Sequence, residues 1–167
     1  MLDSLRVRFL PVFGLLLAGY LLTSPRFAHA QFADGDTKWA VIDVTAAINR
    51  AIEQSKGGIE LRENVVRRFS ECSLMYGALS NLATNAEAKK SYFQAEVSTM
   101  EVQSVIAEPL QLDRYKEIMD LAKTPVAKLL NDLKKHDEKE LAPFLKNCKS
   151  FNEVKEINNA VRELSLK

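Results

Sequence analysis

The chain has 167 residues, with 23 lysines and arginines against 22 aspartates and glutamates, so it is nearly neutral. Such a balance gives no electrostatic reason to expect nucleic acid or an anionic membrane as a partner. Hydrophobic residues make up 47% of the sequence, which is enough to build a core and argues against a disordered chain.

The first thirty residues carry the three parts of a secretory signal peptide. A basic start with Arg6 and Arg8 precedes an apolar run over residues 9–22, and the segment ends in small residues at Ala28-His29-Ala30. The run is shorter than the roughly 20 apolar residues that a membrane-spanning helix needs. We therefore predict cleavage after Ala30, export to the periplasm or the extracellular space of a bacterial cell, and no membrane attachment after processing.

The remaining 137 residues, 31–167, are a common size for one domain, and helical patterning runs through them. We predict a single all-α domain, a bundle of four to six helices, after a loose tail at 31–36. The first helix is expected to be capped by Asp36 or Thr37 and to end at Gly57-Gly58. Residues 38–44 are rich in β-branched side chains, which leaves a strand as the alternative there.

A central helix is predicted from Leu61 to Ala83. Its apolar residues follow one another at spacings of four or three, which places them on one helix face. They are Leu61, Val65, Phe69, Cys72, Tyr76, Leu79 and Ala83. The opposite face is charged, and Glu63 precedes Arg67 by four residues, a spacing that predicts an ion pair.

Two capping boxes predict two further helix starts. Thr84 and Glu87 form the first, T-x-x-E, and Ser150 and Glu153 form the second, S-x-x-E. The helix after Thr84 is expected to bury Tyr92, Phe93, Val97, Met100 and Ile106. The helix after Ser150 is expected to bury Phe151, Val154, Ile157, Val161 and Leu164.

Between these two helices, one apolar stripe keeps its phase from Leu112 to Leu133 across Pro125. Because the phase survives the proline, we predict one continuous, bent helix. A fresh helix capped by Thr124 is the alternative. A polar connector at 134–140 then leads to a short apolar patch that includes Cys148.

The two cysteines are the most informative chemistry in the sequence. Export would place Cys72 and Cys148 in an oxidising compartment, and both lie on apolar faces, so we predict a buried structural disulfide. Chain-entropy arithmetic gives about 4–5 kcal/mol for a loop of this size. A redox-active pair is the less favoured alternative, since the chain has no C-x-x-C.

Catalytic and metal-binding motifs are scarce. His136 is the only histidine after the leader, and it lies in the charged connector, where a solvated role is expected. The sequence has no G-x-S-x-G, P-loop or H-E-x-x-H motif, and no set of ligands typical of zinc. A b-type haem held by Met75, Met100 or Met119 is chemically conceivable, but methionines at helical spacing usually fill cores.

Two hypotheses about function follow. The first is an exported, non-enzymatic interaction protein without a cofactor, which binds a protein partner or a small apolar ligand in a groove of the bundle. Small exported inhibitors and immunity proteins have this general profile. The second is an enzyme or cofactor carrier, for example a haem bundle, whose site residues are too scattered to recognise. The sequence predicts no oligomeric state.

Overall fold

The computed structural model describes residues 37–135, 137 and 139–166. Over these residues the chain forms six α-helices and no strand, so the predicted all-α class is confirmed. The helices are α1 (Thr37–Gln54), α2 (Gly58–Leu82), α3 (Ala86–Ala107), α4 (Leu112–Lys134), α5 (Leu141–Ser150) and α6 (Ile157–Ser165), with a 3₁₀ turn at Val154–Glu156. The proposed signal peptide and the tail at 31–36 lie outside the described residues.

Helix α2 is the centre of the bundle, since every other helix packs against it. Its predicted apolar face is buried, with Val65 fully inaccessible and Phe69 2% exposed. Only Ala83 of the predicted stripe falls outside the helix, as its C-cap.

The core along α2 consists of two clusters. The first joins α1, the N-terminal half of α2, the C-terminal half of α3 and α6. The second joins the C-terminal half of α2 with α4 and α5, and Tyr92 of α3 packs against it. In this second cluster Tyr76 stacks on Tyr92 with ring centroids 6.5 Å apart, and burial raises the pKa of each phenol to about 12.

The turn between α1 and α2 depends on its two glycines. Lys56 and Gly58 both have positive φ angles, of 56° and 57°, and glycine adopts such angles at little cost. A Cβ atom on Gly57 would lie 2.5 Å from the Cβ atom of Leu61. The predicted end of α1 at Gly57-Gly58 is therefore close to the observed turn, and residues 38–44 are helical.

Helices α2 and α3 pack through small and polar side chains. Helix α2 contributes a row of small residues, which comprises Ser70, Ser73, Gly77 and Ser80. The buried Nε2 atom of Gln103 donates to Ser70 Oγ at 2.8 Å, and it also lies 3.1 Å from Tyr115 Oη and 3.0 Å from Met119 Sδ. Gln103 thereby links α3 to both α2 and α4.

This packing corrects the predicted orientation of α3. Phe93, Val97 and Met100, which were expected to be buried, are 56%, 39% and 52% exposed. The helix instead turns its small and polar face, with Ser98 and Thr99, towards the bundle, because that face fits the small residues of α2. Of the expected contacts, Ile106 is fully buried and Tyr92 is partly buried.

Both predicted capping boxes are wrong. Helix α3 is capped by Asn85, whose side chain accepts hydrogen bonds from the two backbone amides of Glu87 and Ala88. An asparagine at this position satisfies the free amides of the first turn as well as Thr84 would. Ser150 is the last residue of α5, and its hydroxyl donates to the carbonyl of Lys146.

The last helix consequently starts later than predicted. A 3₁₀ turn precedes α6, and Val154 in that turn is 49% exposed rather than buried. Phe151 is buried in the link between α5 and α6, where its ring meets that of Phe69 edge-on at 5.3 Å. Ile157 and Val161 are buried as predicted, and Leu164 is partly buried.

Helix α4 runs without interruption through Pro125, so its predicted continuity is confirmed. Glu63, however, does not pair with Arg67. Its carboxylate accepts two hydrogen bonds, of 2.8 and 2.6 Å, from the guanidinium of Arg114 on α4. This bidentate contact between helices has better geometry than an ion pair along one helix.

Candidate functional site

An open cleft of about 740 Å³ lies between α2, α5 and α6. Its lining is polar, with four basic and three acidic side chains. Helices α2 and α5 each contribute one face, with residues at i, i+3, i+4 and i+7. The lining comprises Asn64, Arg67, Arg68 and Glu71 from α2, Pro143, Lys146, Asn147 and Ser150 from α5, Phe151 and Glu156 from the link, and Asn159, Ala160, Arg162, Glu163 and Leu164 from α6.

Arg68 is held from two sides at the α2 wall of the cleft. Its Nη1 atom lies 2.8 Å from Glu71 Oε2, and its guanidinium carbon lies 4.7 Å from the centre of the Phe144 ring. Arg67 approaches the other carboxylate oxygen of Glu71 at 3.9 Å. A guanidinium restrained by an ion pair and an aromatic ring loses little further freedom when it binds a partner.

The disulfide joins two walls of this cleft. Cys72 follows Glu71 on α2, Cys148 follows Asn147 on α5, and the two Cα atoms are 5.7 Å apart. The predicted bridge between these two cysteines is present, and both residues are buried. Because it fixes α5 against α2, it also fixes the separation of the side chains on these two walls.

The α5 and α6 walls, with the link between them, carry two basic and two acidic side chains that form no ion pair within the described residues. The basic pair is Lys146 and Arg162, which are both exposed, and the acidic pair is Glu156 and Glu163. Asn64, Asn147 and Asn159 add side-chain amides, each of which can both donate and accept hydrogen bonds. The cleft therefore offers hydrogen bonds and charges of both signs, with one more positive than negative side chain, rather than an apolar cavity.

The other residues that the sequence singled out are not gathered into one site. Met75 is buried in the second core cluster, Met100 is 52% exposed, and Met119 accepts a hydrogen bond from Gln103. His136 lies outside the described residues. Among the residues that are described, no three side chains of histidine, cysteine, aspartate or glutamate come together in a way that could hold a metal ion.

Sequence reasoning located the charged face of α2 but missed the cleft. The signal for it was the position of Arg67, Arg68 and Glu71 opposite the apolar stripe. The sequence could not indicate that α5 and α6 lie beside that face. The link between α5 and α6 was instead predicted to be the start of a helix at Ser150.

No protein-family model matches this sequence, and no curated protein or solved structure shows significant similarity to it. Within the part of the chain that the structure describes, no helix has the length and apolar character required to cross a membrane. The described residues thus form a small helical bundle with one internal disulfide and an open polar cleft.

Proposed function

We propose that this protein is an exported, non-enzymatic interaction protein whose cleft between α2, α5 and α6 binds a polar segment of a protein partner. The observation that supports this most directly is the lining of the cleft. Lys146 and Arg162 form no ion pair there, although Glu156 and Glu163 line the same cleft, and Arg68 is already held in place. Because the lining has four basic and three acidic side chains, the segment that fits best is a polar polypeptide whose carboxylates reach the basic ones.

The chemistry of the lining favours a protein partner over a small apolar ligand. Pockets for apolar molecules are lined mostly by hydrophobic and aromatic side chains. Here Phe151 is buried beneath the surface, and charged and amide side chains line the opening. A partner that offers carboxylates and backbone amides would satisfy these groups, whereas an apolar molecule would leave them without hydrogen bonds.

Export is the second part of the proposal. A buried disulfide persists in oxidising compartments and is rare in the cytosol. Together with the leader-like first thirty residues, the bridge between Cys72 and Cys148 supports processing and release. Sequencing of the protein recovered outside the cytosol should start at Gln31, and recovery of intact Met1 in the membrane fraction would contradict export.

Site-specific photocrosslinking in the producing cells tests the role of the cleft. A photoreactive residue at Asn147, in the cleft, should crosslink to a protein partner. The same residue at Lys128, which is exposed on α4 outside the cleft, should not. Crosslinks of equal yield at both positions, or at Lys128 alone, would contradict the proposal.

Charge reversal then tests the recognition chemistry. Combined Lys146→Glu and Arg162→Glu substitutions should reduce the crosslink yield from Asn147 by about tenfold or more, since like charges would face the partner's carboxylates. Lys128→Glu is the matched control and should leave the yield unchanged. An unchanged yield in the double variant would exclude a carboxylate-rich partner.

A further inference from the structure

Helix α3 exposes an apolar stripe that no described residue covers. Phe93, Val97 and Met100 are 56%, 39% and 52% exposed, and they lie four and three residues apart on one helix face. This face points away from the buried side of the helix, which carries Val102 and Ile106. A helix that is apolar on both its inner and its outer side is expected to be covered on both.

The charges beside the stripe are arranged in a self-complementary way. Lys90 and Glu101 are both exposed, and within the described chain neither forms an ion pair. They are eleven residues apart, and eleven residues turn an α-helix by about 20° more than three full turns. Both therefore flank the same edge of the stripe, about 16 Å apart along the helix axis. The edge is therefore basic towards the N-terminus of α3 and acidic towards its C-terminus.

We infer that the occupant of this surface is a second copy of the same chain, with the two α3 helices antiparallel about a two-fold axis. Along the sequence, the midpoint between Phe93 and Met100 is position 96.5, next to Val97. The midpoint between Lys90 and Glu101 lies within one residue of that position. One axis thus places Phe93 of each copy against Met100 of the other. The same axis places Lys90 of each copy near Glu101 of the other, as an isologous interface requires.

The size of the stripe sets the strength of the association. Stable interfaces bury about 800 Å² on each partner, more than three side chains on one helix provide. The dimer is therefore a weak one, with a dissociation constant of about 10–100 μM. The surface lies on α3, which contributes no residue to the cleft, so the dimer leaves the cleft open.

Sedimentation equilibrium of the protein, in the form recovered from its producing cells, tests this interface. The wild type should dimerise with rising concentration, and Val97→Glu should weaken the dimer by at least about fiftyfold, because two buried charges would meet at the axis. All substituted residues are exposed, so circular dichroism should confirm an unchanged fold. A wild type that stays monomeric up to about 500 μM, or a Val97→Glu variant that dimerises equally well, would overturn the inference.

A charge-swap experiment separates an antiparallel homodimer from any other way of covering the stripe. Lys90→Glu and Glu101→Lys should each weaken self-association by about tenfold. Either substitution gives positions 90 and 101 the same charge, and these positions face each other at two symmetry-related places in the dimer. An equimolar mixture of the two variants should form a heterodimer about as tight as the wild-type dimer. Lys128→Glu on α4 is the matched control. A mixture no tighter than its components would exclude the antiparallel arrangement.

Discussion

The side-chain amide of Gln103 donates a 2.8 Å hydrogen bond to the hydroxyl of Ser70 in the middle of the bundle, where the two residues are 2% and 0% exposed. Ser70 in turn donates to the carbonyl of Val66, so both groups have partners although water cannot reach them. Polar pairs of this kind fix how one helix lies along another, because sliding either helix would leave buried groups without hydrogen bonds.

A double-mutant cycle measures this contact. Ser70→Ala and Gln103→Leu should each destabilise the fold, and their effects should be coupled by about 1 kcal/mol in chemical denaturation. Ser80→Ala is the control, because Ser80 donates to the carbonyl of Lys89 and lies about 15 Å further along α2. Its effect should add to that of Gln103→Leu. Equal coupling in both cycles would mean that the contact is not specific.

The disulfide should be a major source of stability. Closing a loop between residues 76 positions apart is worth about 4–5 kcal/mol in the chain-entropy model. Reduction, or the double substitution Cys72→Ala with Cys148→Ala, should lower Tm by about 10–20 °C. The two treatments should agree in a thermal scan, and a reduced protein that melts at the same temperature as the oxidised one would contradict this.

The Glu63–Arg114 pair predicts a dependence of stability on pH. Hydrogen bonding to the Arg114 guanidinium holds the pKa of the Glu63 carboxyl below its ordinary value of 4.5. A lowered pKa stabilises the folded state above the pKa of the unfolded carboxyl, and this contribution is lost as the pH falls through the folded value. Glu63→Gln should therefore lower Tm by about 1–3 °C at pH 7, and this difference should shrink as the pH falls below 4.5.

Glu117→Gln is the natural control for that experiment. Glu117 bonds the same guanidinium at 2.7 Å, but its side chain is 63% exposed, against 18% for Glu63. Solvent screens the more exposed pair more strongly, so this variant should change Tm less. A Glu63→Gln effect that stays the same from pH 7 to the lowest pH at which the protein is folded would show that the carboxylate's charge is not its cause.

Two glycines of α2 and its preceding turn should respond oppositely to alanine. At Gly57 a new Cβ atom would lie 2.5 Å from the Cβ atom of the buried Leu61, which has no room to move, so Gly57→Ala should cost about 1–3 kcal/mol. At Gly77 it would meet the carboxylate of Glu96 at 2.6 Å, and that flexible side chain can swing away. Gly77→Ala should be neutral or stabilising by up to about 1 kcal/mol through helix propensity.

Urea denaturation of both variants gives the comparison directly. If Gly57→Ala raised the free energy of unfolding, or if Gly77→Ala lowered it as much as Gly57→Ala, the packing described at these two glycines would be contradicted.

The features that could be predicted from the sequence are those that depend on a single residue pattern or on a single pair of residues. The stripe of α2, the bridge between Cys72 and Cys148, and the passage of α4 through Pro125 all follow from spacing or from cysteine chemistry. The orientation of α3 did not, because large apolar residues lie on both of its faces, and Val102 and Ile106 share the inner one with small polar residues. The side that turns inward was decided by the serines and Gly77 of α2, which lie outside α3.

The cleft was beyond prediction for a related reason. Its walls are polar faces of helices whose relative positions depend on the link around Phe151, and the S-x-x-E pattern there indicated a cap that does not form. A pattern within one segment carries no information about which other segment will lie beside it.

The contact between the first and last helices of the described chain bears on the order in which the fold is completed. Ile48 of α1 and Ile157 of α6 belong to the same core cluster, and α1 and α6 pack directly against each other. Helix α1 therefore cannot finish burying its apolar side until α6 has been synthesised. Until then the growing chain is an incomplete bundle in which part of the apolar side of α1 is still in contact with water.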